Sequence, residues 1–259
     1  MKLSVIICSR SGIPDRLKES LFQQSYKPYE IISIMGSSLT KQRNEGVRKS
    51  KGDLICFLDD DILLQTSYLE NIVGTFNLKQ DAMAVTGNVK VEIYKYNFLY
   101  DLFANIFLLS RRGLGRFRIS GFPESYHENI DQIIKSEVLH GCNMTIKREV
   151  FKELSFNEDL KGGMFGEDDW FSWQMIGRYP VYYNPWAICY DIRPYPLGKQ
   201  EIKVRCTLIN LYRRYRLKGA TELKRMAFWW SMSGFILFKT IEAVVMRDFS
   251  IIKGLLCIK

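Results

Sequence analysis

The sequence is poor in the residues that build zinc sites. Its 259 residues include two histidines, His127 and His140, and six cysteines, none of them in a C-x-x-C pair. Zinc sites are built from closely spaced Cys and His ligands, so a zinc site is not expected. Several cysteines lie in apolar runs, such as Cys8 after Val5–Ile7. This pattern is typical of small buried side chains in a reducing compartment.

Long uninterrupted apolar runs are also lacking. A membrane-spanning helix needs about 20 apolar residues. The best candidate, Met226–Phe238, is uncharged for 13 residues and is then followed by Lys239 and Glu242. The chain begins with a strand-like run, Leu3–Cys8, so no signal peptide is expected. The turn after that run, Ser9–Pro14, has one glycine, which argues against the glycine-rich phosphate loop expected of a nucleotidyltransferase.

The excess of positive charge is confined to one end of the chain. The formal net charge is +9. Residues 1–198 contain 24 Lys+Arg and 24 Asp+Glu, whereas residues 199–259 contain 13 and 4. The pattern also changes there, from alternating strands and helices to helices alone. We therefore predict two parts, a domain at 1–198 and a basic helical tail at 199–259. Such asymmetry indicates an anionic membrane face or nucleic acid as partner, and a solvated basic helix is the alternative.

The tail joins basic residues to aromatic ones. Arg213–Lys218 and Lys224–Arg225 precede the aromatic segments Met226–Trp230 and Phe235–Phe238. This combination is typical of a helix that lies in a membrane interface, where each Lys or Arg contributes about 1 kcal/mol near an anionic surface. Packing on the catalytic domain and an oligomer contact are the alternatives. No nucleic-acid-reading motif is present, so we predict a cytoplasmic protein held peripherally at the inner face of the cell membrane.

Strand-like and helix-like segments alternate through the first 90 residues. This alternation predicts an α/β fold with a mostly parallel, Rossmann-like sheet flanked by helices. A further apolar and aromatic segment, Phe98–Leu109, is interpreted either as a lid or as a buried helix on the sheet. The predicted strands are Leu3–Cys8, Glu30–Ile34, Leu54–Leu58 and Met83–Thr86, and the helices between them are Asp15–Gln24, Thr40–Lys49 and Ser67–Phe76. Two short strands are predicted further along the chain, at Val181–Tyr183 and Ala187–Tyr190.

Three aspartates, Asp59, Asp60 and Asp61, follow the third predicted strand. Open α/β sheets bind ligands at the carboxyl ends of parallel strands. If extended geometry persists, Asp59 and Asp61 share one face. Two such carboxylates repel each other unless a cation lies between them, and Mg²⁺ or Mn²⁺ bound to a diphosphate suits oxygen ligands. The alternative is an acidic N-cap of the next helix.

A second acidic cluster, Glu167–Asp169, opens a predicted helix after a glycine-containing loop. An ionised carboxylate there is a candidate general base for a sugar hydroxyl, provided that it comes within hydrogen-bond reach. The alternative is the ordinary enrichment of acidic residues at a helix N-terminus.

The order of these parts resembles that of family 2 glycosyltransferases of the GT-A fold. The resemblance covers roughly residues 3–191, and it lies in the combination of segments more than in any one of them. The segments similar to the family pattern are Ser4–Arg10, Gln42–Gly46, Gly52–Asp61, Gly141–Phe151, the pair Glu167-Asp168 and the stretch Gly177–Pro185.

The resemblance implies a metal-dependent, inverting hexosyltransferase. It would move a sugar from a UDP-, GDP- or dTDP-linked donor to a hydroxyl of a glycan or lipid-linked acceptor, in cell-surface polysaccharide or glycoconjugate synthesis. Asp168 would be the catalytic base, and Glu167 would hold the acceptor. Asp61 would bind Mn²⁺ or Mg²⁺, and Asp59 would contact the metal or the ribose of the donor.

The remaining implied contacts are to the donor nucleotide. Ser9 and Arg10 would line the nucleotide pocket together with Asp60, and Arg43 would lie near the nucleotide or its diphosphate. Oligomer formation is compatible with this reading, and nucleic acid is not an expected partner.

Two positions depart from the family pattern. The turn after the second strand, Met35–Ser38, lacks the acidic residue that usually reads the base. Asp191 stands where the family often has a histidine near the metal or diphosphate, so it is a candidate metal ligand, and Arg193 is a candidate bidentate donor to phosphate. These departures leave a second hypothesis open, a catalytically silent module that binds sugar nucleotides or glycans on the same fold.

Overall fold

The structure is a computed structural model, and it describes residues 1–28, 30–91, 98–159, 166–192 and 221–245, with residues 247 and 252. Arg193, the glycine loop at 162–165 and the basic segment Arg213–Lys218 therefore lie outside the described residues.

Ten strands and six α-helices make up the described part of the chain. The strands are β1 (Leu3–Ser9), β2 (Glu30–Met35), β3 (Leu54–Asp59), β4 (Ile62–Leu64), β5 (Ala84–Val91), β6 (Arg112–Gly113), β7 (Ser125–Tyr126), β8 (Ile134–Ser136), β9 (Asn143–Lys147) and β10 (Val181–Asp191). The helices are α1 (Asp15–Phe22), α2 (Leu39–Lys49), α3 (Tyr68–Leu78), α4 (Phe98–Ile106), α5 (Glu167–Met175) and α6 (Glu222–Val245), with a 3-10 helix at Arg148–Lys152.

Eight of these strands form one sheet in the order β2-β1-β3-β9-β5-β10-β4, with β8 paired to β10. Strands β1, β2, β3, β5 and β10 run in one direction, and β4, β8 and β9 run in the other. The predicted α/β class with a mostly parallel sheet is confirmed. The antiparallel insertion of β9 between β3 and β5 could not be predicted, because an apolar run has no signal for chain direction.

Both faces of the sheet are buried, which explains the continuous apolar run of β1. Val5 and Ile7 point into a core that includes Leu17 of α1 and Leu69 of α3. Ile6 points to the opposite core, which includes Phe171 of α5. Alternate side chains of a strand face opposite sides of the sheet, so a strand covered on both sides is apolar throughout.

Two strands of the sheet, β10 and β4, differ from the prediction. Where the sequence suggested two short strands after residue 180, the structure has the single strand β10, with an irregular register between Asn184 and Ile188. Strand β4, which follows the three aspartates directly, was not predicted. A three-residue strand is too short for period-two alternation to be recognised.

The chain divides into two compact units. The first contains Met1–Tyr94 and Glu128–Arg193, and the second contains Lys95–His127 and Pro194–Lys259. The predicted boundary at 198 lies outside the described residues, close to the start of the C-terminal part of the second unit. The sequence placed residues 95–127 in the first domain, whereas in the structure they group with the C-terminal part.

Within the second unit, α4 and α6 share a small apolar core. It contains Ala104 of α4 and Phe228, Met232 and Phe235 of α6. These residues are more than 100 positions apart in the chain, which is why sequence periodicity alone did not join them. Among the described helices, none combines the length and apolar character needed to cross a membrane.

Candidate active site

The candidate site lies at one edge of the large sheet, where several strand ends meet. Strands β1 and β3 are parallel neighbours with Cys8 opposite Asp59, so Ser9 and Asp59 both lie at carboxyl ends. Strand β10 runs in the same direction and ends at Asp191. Strand β9 runs the other way and begins at this edge, where the N–H of Asp59 donates to the carbonyl of Cys142 at 3.2 Å.

The three aspartates occupy a strand end and a turn. Asp59 is the last residue of β3, and Asp60 and Asp61 form the turn into β4. Extended geometry stops at Asp59, so strand alternation does not give Asp59 and Asp61 a common face. Instead, β4 pairs with β10 so that Ile62 lies opposite Asp191. The N–H of residue 192 donates to the carbonyl of Asp61 at 2.9 Å, and this pairing brings the backbone of Asp61 next to that of Asp191.

Asp61 and Asp191 have the donor chemistry that a hard divalent cation requires. Mg²⁺ in phosphate-transfer sites commonly uses one or two protein carboxylates, and substrate phosphates and water complete its coordination. In the described part of the chain, no group of three or more His, Cys, Asp or Glu side chains is arranged to hold a metal ion. A metal held by one or two of these carboxylates would need a diphosphate and water to complete its coordination. The assignment of Asp59, Asp61 and Asp191 as ligands stays a prediction.

Arg43 of α2 is buried beneath the acidic residues, with 1% of its surface exposed. Its guanidinium donates to Glu167 Oε1 at 2.9 Å, to the carbonyl of Gly141 at 2.8 Å and to Asp59 Oδ1 at 3.4 Å. The ring of Phe156 lies 5.3 Å from the guanidinium carbon. Burial acts to lower the pKa of Arg43, but the charges of Glu167 and Asp59 outweigh it and raise that pKa. Arg43 is therefore a buried permanent cation.

This placement gives Arg43 a structural role that the sequence did not suggest. Its guanidinium holds the carboxylates of Glu167 and Asp59 in fixed positions, so it is a positioning residue of the candidate site. The contact predicted for Arg43 with a nucleotide or diphosphate stays a prediction.

Glu167 is the first residue of α5 and is also buried, with 5% of its surface exposed. Burial, and next the negative charge of Asp168, raise the pKa of Glu167 to about 7, against the lowering effect of Arg43. The predicted contact of Glu167 with the acceptor stays a prediction. In the structure Glu167 ties α5 to α2 through Arg43.

Asp168 is half-buried, as is Asp169, whereas Glu167 is buried. Asp168 Oδ2 accepts the N–H of Gly141 at 2.8 Å, and Asp168 Oδ1 accepts the N–H of Asp169 at 3.0 Å. A Cβ at residue 141 would lie 2.7 Å from Asp168 Oδ2, so a side chain there would displace the carboxylate of Asp168. A carboxylate that is oriented by fixed donors and still reachable has the geometry of a general base.

Sequence reasoning missed the residues that fix the turn beside Asp168. The hydroxyl of Thr86 accepts the N–H of His140 at 3.1 Å and donates to Asn143 Oδ1 at 2.8 Å. Loss of hydration lowers the pKa of His140 to about 4, although Asp168 acts in the opposite direction. His140 is therefore neutral at pH 7. Its position directly before Gly141 was the one available signal in the sequence.

The predicted donor side of the site lies around the end of β1. Gln42 donates through Nε2 to the carbonyls of Ser9 at 2.9 Å and Ile34 at 2.6 Å, and so ties the ends of β1 and β2 together. The hydroxyl of Ser9 accepts the N–H of Ser11 at 3.2 Å, and Arg10 is exposed. The contacts predicted for Ser9, Arg10 and Asp60 with a nucleotide stay predictions, and Arg193 lies outside the described residues.

Comparison with protein families identifies the chain. The family model described as glycosyltransferase like family 2 matches residues 5–203 of the 259. The chain belongs to glycosyltransferase-like family 2. The resemblance noted in the sequence is thereby confirmed, and Asp61, Asp168 and Asp191 all lie within the matched part of this family 2 chain.

Individual relatives of the family 2 chain are distant in sequence. It is 23% identical over 187 residues to glucosyl-dolichyl phosphate glucuronosyltransferase of Haloferax volcanii, a match that covers 60% of this chain and 55% of that protein. The chain thus spans about half the length of this relative.

Two solved structures share its fold. The mannosyltransferase PcManGT of Pyrobaculum calidifontis, in complex with GDP-Man and Mn²⁺, has a TM-score of 0.56 at 13% identity, over 99% of this chain and 85% of that one. GalNAc-T7 with UDP, GalNAc and Mn²⁺ has a TM-score of 0.53 at 12% identity, over 90% and 56%. These similarities support the GT-A fold, which the sequence predicted and which is confirmed.

Proposed function

We propose that this family 2 chain is an inverting hexosyltransferase that moves a sugar from a nucleotide diphosphate donor to a hydroxyl of a glycan or lipid-linked acceptor. The observation that carries the proposal is Asp168, a partly exposed carboxylate held by the N–H of Gly141 at the same sheet edge as Asp61 and Asp191. Membership of the glycosyltransferase family supports the donor class. We further propose a role in cell-surface polysaccharide or glycoconjugate synthesis at the inner face of the cell membrane.

The proposed chemistry is a single displacement. Asp168 removes the proton from the acceptor hydroxyl while that oxygen attacks the anomeric carbon. The new glycosidic bond forms as the bond to the diphosphate oxygen breaks, and the attack from the opposite face inverts the anomeric configuration. The two N–H donors to Asp168 keep its carboxylate oriented during the approach of the acceptor. Arg43 balances the negative charge of Glu167 and Asp59 behind it.

Asp61 and Asp191 are the residues that we propose to hold Mn²⁺ or Mg²⁺. When bound, such an ion neutralises the negative charge that builds up on the leaving diphosphate. The two carboxylates fit this role because hard cations prefer oxygen ligands. The Mn²⁺ in the structures of PcManGT and GalNAc-T7 supports the choice of ion.

The donor nucleotide is proposed as a class only. PcManGT was solved with GDP-Man and GalNAc-T7 with UDP, so both bases occur on this fold. The turn Met35–Ser38 of this chain has no carboxylate to accept hydrogen bonds from a base. That absence is also what favours the second hypothesis, a silent module that binds a sugar nucleotide or glycan without turnover.

The deciding experiment is hydrolysis of UDP-, GDP- and dTDP-sugars by the purified chain with Mn²⁺ or Mg²⁺, comparing the wild type with Asp168→Asn and Asp61→Ala. General-base catalysis contributes about 10²- to 10⁴-fold, so we expect Asp168→Asn to lose turnover by that factor while nucleotide binding is retained. Asp169→Asn, one residue further along α5, is the matched control and should stay active. Wild-type protein that binds the nucleotide without turnover, or full activity of Asp168→Asn, would contradict the proposal.

A further inference from the structure

The large apolar side chains left exposed by the fold are concentrated in the second unit. They lie mainly on the helices α4 and α6, although α6 already contributes one face to an apolar core. A contiguous exposed apolar surface on a soluble protein marks a site of contact with another molecule or with a membrane.

Helix α6 exposes an apolar stripe along its outer side. The residues of the stripe are spaced three, four or seven positions apart, so they lie on one face of the helix. Their exposed fractions run from 45% to 68%. The stripe consists of Leu223, Met226, Trp230, Leu237, Ile241 and Val244.

The inner side of α6 contains polar groups that a surface helix normally exposes. The buried residues Phe228 and Phe235 mark this side. By helical spacing, Lys239 and Glu242 lie on it too, and they form an ion pair at 2.5 Å with 17% and 28% of their side chains exposed. The rest of this side is mainly apolar, so α6 contributes to an apolar core on one side and exposes an apolar stripe on the other. A helix that is apolar on both sides is normally covered on both sides, which fits an apolar medium on the outer side of α6.

Helix α4 extends this apolar surface. Leu102 and Ile106, four residues apart on α4, are about half exposed. The indole N–H of Trp230 donates to the carbonyl of Ile106 at 2.7 Å, and the ring of Trp230 stacks on Phe107 with centroids 4.9 Å apart. The exposed residues of α4 and the stripe of α6 thus meet at Trp230. We call them together the outer face of the second unit.

Basic side chains lie at the start of α6. Lys224 and Arg225 are exposed there, beside Glu222, and the sequence of 199–259 contains 13 Lys+Arg against 4 Asp+Glu. Basic residues beside an inserted apolar face strengthen attachment to anionic lipid headgroups. Trp229 and Trp230, both about half exposed, are of the residue type that is enriched at the headgroup boundary. The net charge of +9 disfavours a second copy of this chain as the occupant relative to an anionic surface.

We propose that the outer face inserts into the headgroup and upper acyl region of an anionic lipid bilayer, with α4 and α6 lying in the plane of the membrane. The partner is a lipid surface rather than a protein. This inference does not depend on glycosyl transfer, because it rests on the second unit alone.

The test uses the full chain and vesicles of phosphatidylcholine with or without phosphatidylglycerol in a flotation assay. The outer-face variant is Met226→Asp with Ile241→Asp, since both side chains point outward and leave the inner core intact. The matched control is Phe22→Asp with Leu78→Asp, two side chains of the first unit that are 82% and 67% exposed. We expect the wild type and the control to float with the anionic vesicles. The outer-face variant should lose at least about tenfold in partitioning, because each aspartate opposes burial of the apolar face.

The proposal is overturned if the wild type does not float, or if the outer-face variant floats as well as the wild type. It is also overturned if light scattering shows that the wild type is a dimer that does not bind vesicles and that the outer-face variant is a monomer. An unchanged midpoint of thermal unfolding shows that the variant is folded. Turnover of a soluble nucleotide sugar by the same variant is expected to be unchanged, so failure of membrane binding and failure of the proposed activity are distinguishable.

Discussion

At the scale of single residues, Arg43 is the cation on which two carboxylates of the site depend. It is buried, and so is Glu167, to which it donates at 2.9 Å. Removing one partner of a buried ion pair leaves an uncompensated charge, which costs about 3–5 kcal/mol. We expect Arg43→Met to lower the free energy of unfolding by that amount in urea denaturation at pH 8, where Glu167 is largely ionised.

The matched variant for this prediction removes both charges. Arg43→Met combined with Glu167→Gln leaves no ion without a partner, so part of the lost stability should return. If the double variant is as unstable as the sum of the two single variants, the two residues do not act as a pair. Arg43→Lys is expected to recover stability only partly, since an ammonium cannot reproduce the planar fork that bonds Glu167 and Gly141 together.

His140 sets a pH dependence of stability. Its pKa is lowered from 6.5 to about 4 in the folded chain. Between these values the unfolded state binds more protons than the folded state, so stability is lost as pH falls from 6.5 towards 4. The full effect of a shift of this size is about 3 kcal/mol. We expect His140→Gln to flatten the acid side of a plot of unfolding free energy against pH.

The control for this prediction is His127→Gln, which changes the exposed second histidine of the chain. The pKa of Glu167 is raised to about 7. Its contribution to the free energy of unfolding therefore changes with pH in the opposite direction, and this stability is lost as pH rises through 7. That contribution is common to wild type and both histidine variants and cancels in the comparison. Parallel profiles for wild type and His140→Gln would show that His140 is not the responsible group.

At the scale of elements, most side chains of the motif in α2 join it to neighbouring elements. Of the run Gln42–Gly46, Gln42 joins the ends of β1 and β2, and Arg43 joins α2 to α5. Asn44 accepts the N–H of Phe156 and donates to its carbonyl, both at 2.9 Å. Glu45 forms only a surface ion pair with Lys49. The motif that the sequence related to the nucleotide thus consists mostly of residues that join helices and strands beneath the site.

Gly46 is the close contact between α2 and β1. A Cβ there would lie 2.4 Å from Ile6 Cγ2, whereas a Cβ at Gly74 of α3 meets nothing within 4 Å. Overpacking of a core costs about 1–3 kcal/mol, and Ala in place of Gly in an open helix position gains about 0.5–1 kcal/mol. We expect Gly46→Ala to lower and Gly74→Ala to raise the midpoint of thermal unfolding. Equal effects of the two substitutions would contradict the tight packing of α2.

At the scale of the whole molecule, the site is assembled from distant parts of the chain. The strand ends at Ser9, Asp59 and Asp191 and the helix start at Asp168 span most of the first unit. A ligand that binds only the folded state raises the free energy of unfolding by about 2.7 kcal/mol when its concentration is 100 times its dissociation constant. We expect the cognate nucleoside diphosphate to raise the thermal midpoint, and the rise to require Mn²⁺ or Mg²⁺.

Two aspartate variants distinguish loss of a proposed metal ligand from loss of a negative charge anywhere on the surface. Asp61→Asn should abolish the dependence of the thermal shift on metal. Asp15→Asn, which changes an exposed carboxylate of α1, should leave it as in the wild type. If UDP, GDP and dTDP all fail to shift the midpoint with either metal, the proposed donor class is wrong.

The sequence by itself determined the class of fold and the identity of the acidic clusters. Alternating strand and helix periodicity fixes an α/β sheet, because these periods follow from backbone geometry alone. The aspartates after β3 and the Glu167-Asp168 pair could be located because strand ends and helix starts are local features of the chain. The order of these motifs was enough to indicate the family.

Only the tertiary structure decided which of these residues are buried and paired. Arg43 and Glu167 are 124 positions apart, and they form a buried ion pair beneath the site. The direction of β9 and the outward apolar stripe of α6 were equally hidden. The physical reason is that burial, charge pairing and strand direction depend on which distant segments pack together. Local composition does not determine which segments those are.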